Sequence, residues 1–153
     1  MCTRLSISET QSLFCIPALK DNYIYVLSFG KKACVIDPGE GEKVLSLLER
    51  EGLSLEHILI THYHSDHING VKFLKDKTGC TVLGPKDARI LELDQEVDGG
   101  EILTIGPFKI EALSTPGHTR PHLAYFLHEI DVLFSGDLLF GAGCGFLFEG
   151  TPE

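Results

Sequence analysis

Basic residues are in short supply in this chain: 13 lysines and arginines stand against 22 aspartates and glutamates, a formal net charge of -9. That deficit argues against a nucleic-acid partner held through broad phosphate contacts and favours solubility. Cysteines number five, an odd count, and none are spaced as a CxxC pair. A closed disulfide framework is therefore not expected. Cys15 and Cys34 lie in apolar, strand-like runs and are expected to be buried thiols, which points to a reducing, cytoplasmic compartment. No apolar run approaches the ~18 residues of a membrane span, and the N-terminus lacks a basic-then-apolar signal pattern. No membrane partner is expected. There is no internal repeat, no low-complexity tract and no linker. What is present is ordinary for one globular domain with a real core: 153 residues, 43% hydrophobic and 23% charged.

The apolar pattern predicts strands over 13–17 and 22–28 across a tight Lys20-Asp21-Asn22 turn. A third strand, Ala33–Asp37, ends at Pro38-Gly39. Val44, Leu45, Leu47 and Leu48 give Glu42–Glu51 a helical apolar face that Gly52 stops. Leu55–Ile60 reads as a buried strand, Ile68–Thr78 as a helix and Cys80–Leu83 as a strand. Asp87–Val97 reads as a short helix or irregular. Ile102–Ile105, Phe108–Leu113, Leu123–Leu127 and Val132–Phe134 form a predicted antiparallel run. Helices packed outside a sheet, an α/β or α+β class, follow. At the end, Thr151-Pro152-Glu153 has the form of a helix start, with Thr as cap and Pro in the first turn. A helix that begins on the last residues implies a chain cut short.

The segment Thr61-His62-Tyr63-His64-Ser65-Asp66-His67 places three imidazoles and a carboxylate in seven residues, directly after an apolar strand. Imidazole and carboxylate are the donors of zinc-like ions, and this density exceeds what a structural loop needs. His62 and His64, two apart, can point to one side of an extended loop, while Asp66 and His67 face a neighbouring point. One loop can then serve two ions about 3.5–4 Å apart, bridged by one water. Two further segments gain meaning beside it. Ser114-Thr115-Pro116-Gly117-His118-Thr119 ends a strand on a histidine. Ser135-Gly136-Asp137 places a carboxylate after another, suited to bridge two metals. Asp37, also at a strand end, reads as a group that orients a ligand. His122 reads as structural, and His57 and His128 as surface residues.

Taken in order, His62-Tyr63-His64-Ser65-Asp66-His67, Pro116-Gly117-His118-Thr119 and Gly136-Asp137 resemble the motifs of the metallo-β-lactamase superfamily. More narrowly, the chain is similar to the glyoxalase II (hydroxyacylglutathione hydrolase) family. Ile16-Pro17-Ala18-Leu19-Lys20-Asp21-Asn22-Tyr23-Ile24-Tyr25 resembles that family's opening strand and turn. Gly136 through Gly145, with Phe148-Glu149-Gly150-Thr151, resembles its segment after the bridging aspartate. The resemblance runs from about Phe14 to the end. It implies an αββα sandwich, here a single domain over 1–153 missing its last elements and a C-terminal helical domain. It also implies that His62, His64 and His118 hold one Zn2+, that Asp66 and His67 hold a second, and that Asp137 bridges both. Iron or manganese suits the same donors. One family histidine for the second metal is absent, which weakens that site. Cys144, Gly145, Phe146 and Phe148 fall where the family contacts substrate. Phe146 stands where a basic residue is usual, and Phe148 near a position that often carries an aromatic hydroxyl.

The implied reaction is hydrolysis of a small-molecule thioester, S-D-lactoylglutathione plus water giving D-lactate and glutathione, a step of methylglyoxal detoxification. A metal-bridging hydroxide would attack the carbonyl, and Asp66 would both ligate and orient it. Other readings stay open. The chain can be a hydrolase of a non-glutathione thioester or ester, or a persulfide dioxygenase-like iron protein, or an inactive truncated metal-binding remnant. The missing elements would leave an uncovered sheet and invite self-association.

Overall fold

The computed structural model of the protein describes residues 2–151, so Pro152 and Glu153 of the expected terminal helix start lie outside the described residues. Thr3–Ser6 (β1), Gln11–Ala18 (β2), Asn22–Phe29 (β3) and Lys32–Ile36 (β4) form an antiparallel meander. Gly41–Glu51 (α1) crosses to Ser54–Leu59 (β5), which lies parallel to β4. Ser65–Ile68 (α2) and Val71–Thr78 (α3) lead to Thr81–Gly84 (β6), followed by Gln95–Glu96 (β7), both added in parallel. One sheet thus runs β1 to β7 in sequence order. Ile102–Ile105 (β8), Phe108–Ser114 (β9), Leu123–Leu127 (β10) and Val132–Phe134 (β11) make a second, antiparallel sheet in the order β11-β10-β9-β8.

Alternation along β3 shows how the layers form. Successive strand side chains point to opposite faces. Ile24 and Val26 join one core with Val44, Leu47 and Leu48 of α1 and Val71 and Leu74 of α3. Leu27 and Phe29 join a second core with Phe108, Ile110, Tyr125 and Phe134 of the other sheet. β3 is apolar on both faces because it is covered on both, by helices and by a sheet. The layers are helices, sheet, sheet. On the far face of the second sheet, Ile102, Glu111, Phe126 and Leu133 line up across the strands, with Ile102 60% and Leu133 40% exposed. Among the described residues, α1 and α3 both pack on the first sheet.

The expected strands and α1 form with boundaries shifted by a residue or two, and Gly52 caps α1 in the left-handed conformation. Four readings need correction. The helix expected over Ile68–Thr78 begins earlier and is interrupted at Asn69-Gly70, because the His64 carbonyl already accepts the His67 and Ile68 amides. β1 was not expected at all, since its four residues are exposed and carry no alternation. Cys15 is half-buried, lying close to the sheet edge on β2, whereas Cys34 on the central β4 is buried. His57 is half-buried on β5. The irregular reading of Asp87–Val97 is right, with only β7 ordered as strand inside it.

The two sheets are also tied by a polar contact: the buried Tyr125 hydroxyl on β10 donates to the Ile60 carbonyl at 2.8 Å. Tyr125→Phe is expected to cost about 1–3 kcal/mol, because it leaves that carbonyl lone pair buried and unpaired. Urea unfolding should show a lower midpoint at unchanged slope.

Candidate metal centre

The site sits where β4, β5, β9 and β11 end. Asp37 follows β4 in the left-handed conformation, φ 50°. Its buried carboxylate accepts the Thr61 amide (2.8 Å), the Thr61 hydroxyl (2.6 Å) and a ring N–H of His67 (Nδ1, 2.9 Å). One carboxylate therefore joins the end of β4 to the loop after β5 and to α2. Since the Thr61 hydroxyl donates to Asp37, its oxygen is left to accept from His62 Nδ1 at 2.9 Å. That fixes the His62 tautomer and leaves the Nε2 lone pair pointing inward.

His118, at the turn after β9, is held the same way, its Nδ1 donating to the Phe146 carbonyl at 2.7 Å. Its Nε2 lies 2.8 Å from His64 Nδ1, which is 3.1 Å from His62 Nε2. Asp137 Oδ2 is 3.1 Å from His118 Nε2 and 4.0 Å from His62 Nε2. All four donor atoms lie within 4.8 Å of one another. A proton on His64 Nδ1 can satisfy one of these two nitrogen lone pairs as a hydrogen bond, whereas a cation between the three nitrogens satisfies all of them at once. A tetrahedral ion with bonds of about 2.05 Å has donor–donor edges of about 3.3 Å, close to the spacing here. The donor set fits a divalent metal. Burial, then the neighbouring imidazoles, push the His62 pKa far below its ordinary value, and burial followed by His118 lowers that of His64. Both rings are thereby kept in the neutral form a metal needs.

A second cluster adjoins the first. His67 Nε2 lies 3.1 Å from Asp137 Oδ1 and 3.4 Å from Asp66 Oδ2. The two oxygens of Asp137 thus face different clusters. Burial opposes charge on His67, but Asp37, Asp137 and Asp66 around it prevail and push its pKa up to about 12. The His67 hydrogen bond, with Asn22 adding to it, holds Asp66 well below the usual carboxylate range. This corner wants positive charge, supplied by a proton or by an ion. Asp137 is aimed by Gly136 (φ 50°), where a Cβ would lie 2.6 Å from Thr61 Oγ1 and 2.8 Å from His122 Nε2. His122 is buried, which lowers its pKa to about 4. Its Nδ1 pairs with Thr115 Oγ1 (2.8 Å) and its Nε2 accepts the Asp137 amide (3.3 Å). It supports the backbone that carries Asp137. His128 is exposed and pairs with Glu111, away from the site.

Residues 19–151 match the family described as the metallo-beta-lactamase superfamily. The chain belongs to that superfamily. Curated relatives include the hydroxyacylglutathione hydrolase of Dechloromonas aromatica, 49% identical over 137 residues, and that of Pseudomonas entomophila, 44% identical over 143. Each alignment covers 90% of this chain but 51% and 55% of the relative, so the chain spans about half the length of the curated relatives it matches. Among solved structures, ETHE1 from Myxococcus xanthus superposes with a TM-score of 0.68 at 26% identity, over 95% of this chain and 60% of that one. The BLEG-1 B3 metallo-beta-lactamase gives 0.68 at 25%, over 95% and 76%.

In this superfamily member the segment after Asp137 wraps over the first cluster. Gly145 packs so closely on the Asp137 carbonyl that a Cβ would lie 1.9 Å from it. Phe148 stands edge-on to His64 and His118, with centroids 5.7 and 5.2 Å away. Phe146 is 70% exposed and Cys144 is exposed. Glu149 anchors the segment by accepting from the Tyr63 hydroxyl (3.0 Å), Arg89 (2.7 Å) and the Arg120 amide (2.9 Å). Arg89, besides, lies 3.4 Å over the Tyr63 ring. Beside the second cluster opens a cleft of about 600 Å3, walled by Asn22, Tyr23, Tyr25, Leu139 and Phe140. Gly145 and Phe148 therefore pack against the first cluster, and none of the four expected substrate contacts lines the cleft. The sequence reading missed Asn22, Tyr25 and Leu139 as site residues. The only available signal was their place in the family-like segments, since their register toward the cleft is set by β3 and the turn after β11.

Removing the Glu149 anchor should free this wrapping segment without unfolding the sheets. For Glu149→Ala, amide hydrogen exchange over 145–150 is expected to accelerate at least about 10-fold, the loss of roughly 1.4 kcal/mol of local protection, while β3 and β4 stay unchanged.

Proposed function

We propose that the chain carries the metal centre of a thioester hydrolase of the hydroxyacylglutathione hydrolase type, cleaving S-D-lactoylglutathione to D-lactate and glutathione in cytoplasmic methylglyoxal detoxification. The observation that carries this is the convergence of His62, His64 and His118 on one point, with Asp137 turning its other oxygen to His67. In this reading His62, His64 and His118 hold one Zn2+, Asp66 and His67 hold a second, and Asp137 binds both. The same nitrogen and oxygen donors accept iron or manganese. When bound, the ions lower the pKa of water toward neutrality and polarise the carbonyl.

The chain's own residues supply the rest. Asp37 and Thr61 hold His67 and His62 in the tautomers that present Nε2. Asp66, 41% exposed at the mouth of the centre, is the carboxylate placed to orient the attacking water. The new C–O bond forms as the C–S bond breaks. A thiolate leaves readily because thiol pKa values lie near 8.5, so no dedicated acid is needed. The products are a carboxylate and a thiol with net release of one proton, and of a second where the pH exceeds the thiol pKa of about 8.5.

A specific observation supports a second reading, in which the thioester is apolar and lacks glutathione. Leu139, Phe140, Phe146 and Phe148 are 47–70% exposed around the centre, and no lysine or arginine lines the cleft among the described residues. A tripeptide with two carboxylates would find little complementary charge there.

Metal analysis with thiol release from S-D-lactoylglutathione tests the proposal. The wild type should bind two Zn2+ and turn over. Asp137→Ala should lose at least one ion and at least about 100-fold in kcat/KM. A variant that keeps two tightly held ions would remove the bridging role. Phe146→Arg separates the two readings: a several-fold rise in kcat/KM on S-D-lactoylglutathione with the alkyl thioester unchanged favours the glutathione reading, and a several-fold fall on the alkyl thioester with S-D-lactoylglutathione unchanged favours the apolar one.

A further inference from the structure

We propose that Asn22 is a positioning residue for the second metal position, with its side-chain amide pinning Asp66; the inference rests on the two-metal reading above. Asn22 opens β3 immediately after the β2–β3 hairpin turn and pairs with Ala18 across it. Its Nδ2 lies 2.8 Å from Asp66 Oδ2 and 3.5 Å from His67 Nε2. The amide can face the carboxylate only through its nitrogen, since an amide oxygen there would meet a like-signed oxygen. A carboxylate oxygen has two acceptor sites, so one N–H occupying the first sets the direction left for an ion.

Asp66 needs such a partner more than His62, His67 and His118 do. His62 is held by Thr61, His67 by Asp37 and His118 by the Phe146 carbonyl. The side chains of His62, His67 and His118 are 0–8% exposed, whereas that of Asp66 is 41% exposed. Apart from His67, Asn22 is its side-chain partner among the described residues. Asn22 is itself held by a clamped hairpin. The left-handed Leu19 (φ 49°) donates its amide to Glu40 Oε2 at 2.6 Å. Lys43 Nζ bonds the same carboxylate at 2.7 Å and the Pro17 carbonyl at 3.2 Å. The start of α1 thus braces the hairpin, the hairpin carries Asn22, and Asn22 fixes a half-exposed donor of the centre.

The test is a competitive Zn2+ titration against a chelator on the metal-free full chain, for wild type, Asn22→Ala and the bulk-keeping Asn22→Leu. Both variants should weaken the second Zn2+ by about 10- to 100-fold, the usual effect of losing a group that orients a metal ligand. The first Zn2+ should change by less than about 3-fold, and the thermal midpoint of the metal-free protein should stay where it is. A second-ion affinity that is unchanged in both variants overturns the inference alone, as does equal weakening of both ions. A wild type that binds a single Zn2+ overturns the two-metal reading and this inference with it.

Discussion

The buried carboxylate of Asp37 is the interaction on which the site depends. It accepts from the Thr61 amide, the Thr61 hydroxyl and His67, and so binds the end of β4 to the start of the histidine loop and to α2. Through the Thr61 hydroxyl its influence reaches His62 as well. A buried charge is tolerable when it is this fully hydrogen-bonded. The left-handed backbone at Asp37 is strain kept at the point where the chain must turn its carboxylate inward.

From that anchor the centre divides into two electrostatic environments. Around His62, His64 and His118 the groups are imidazoles, and burial keeps His62 and His64 neutral, offering lone pairs to a shared point. Around His67 the groups are carboxylates, and His67 is drawn toward its charged form. Asp137 belongs to both, one oxygen to each. An acidic chain thus builds a compact place where positive charge is needed, and its clustered imidazoles and carboxylates fit a divalent ion.

The scaffold serves this by ending strands at one edge. Parallel β4 and β5 deliver Asp37 and the histidine loop, while β9 and β11 of the second sheet deliver His118 and Asp137. Candidate metal donors carried at the ends of packed strands are held by the sheets rather than by the loops alone. Tyr125, bonded to the Ile60 carbonyl one residue before Thr61, sets the two sheets in register at the point where their donors meet. His122 and Gly136 adjust the last of these donors, one by accepting the Asp137 amide and the other by leaving room for the turn.

The helix-and-strand order was legible in the sequence because apolar periodicity along β3, α1 and β10 records which faces are covered. The histidine loop was legible because seven consecutive residues hold its donors. β1 and the break at Asn69-Gly70 were not, since exposed residues and backbone hydrogen bonds leave no periodic trace. Local chemistry determined the donor types, their order along the chain and the elements that carry them. Only the tertiary structure decided that Asp137 faces both clusters, that Asn22 reaches Asp66 across 44 positions, and that the 144–149 segment lies over the first cluster while the cleft opens beside the second. Those are distances between strand ends in different sheets, and they are set by how the sheets pack rather than by any run of residues.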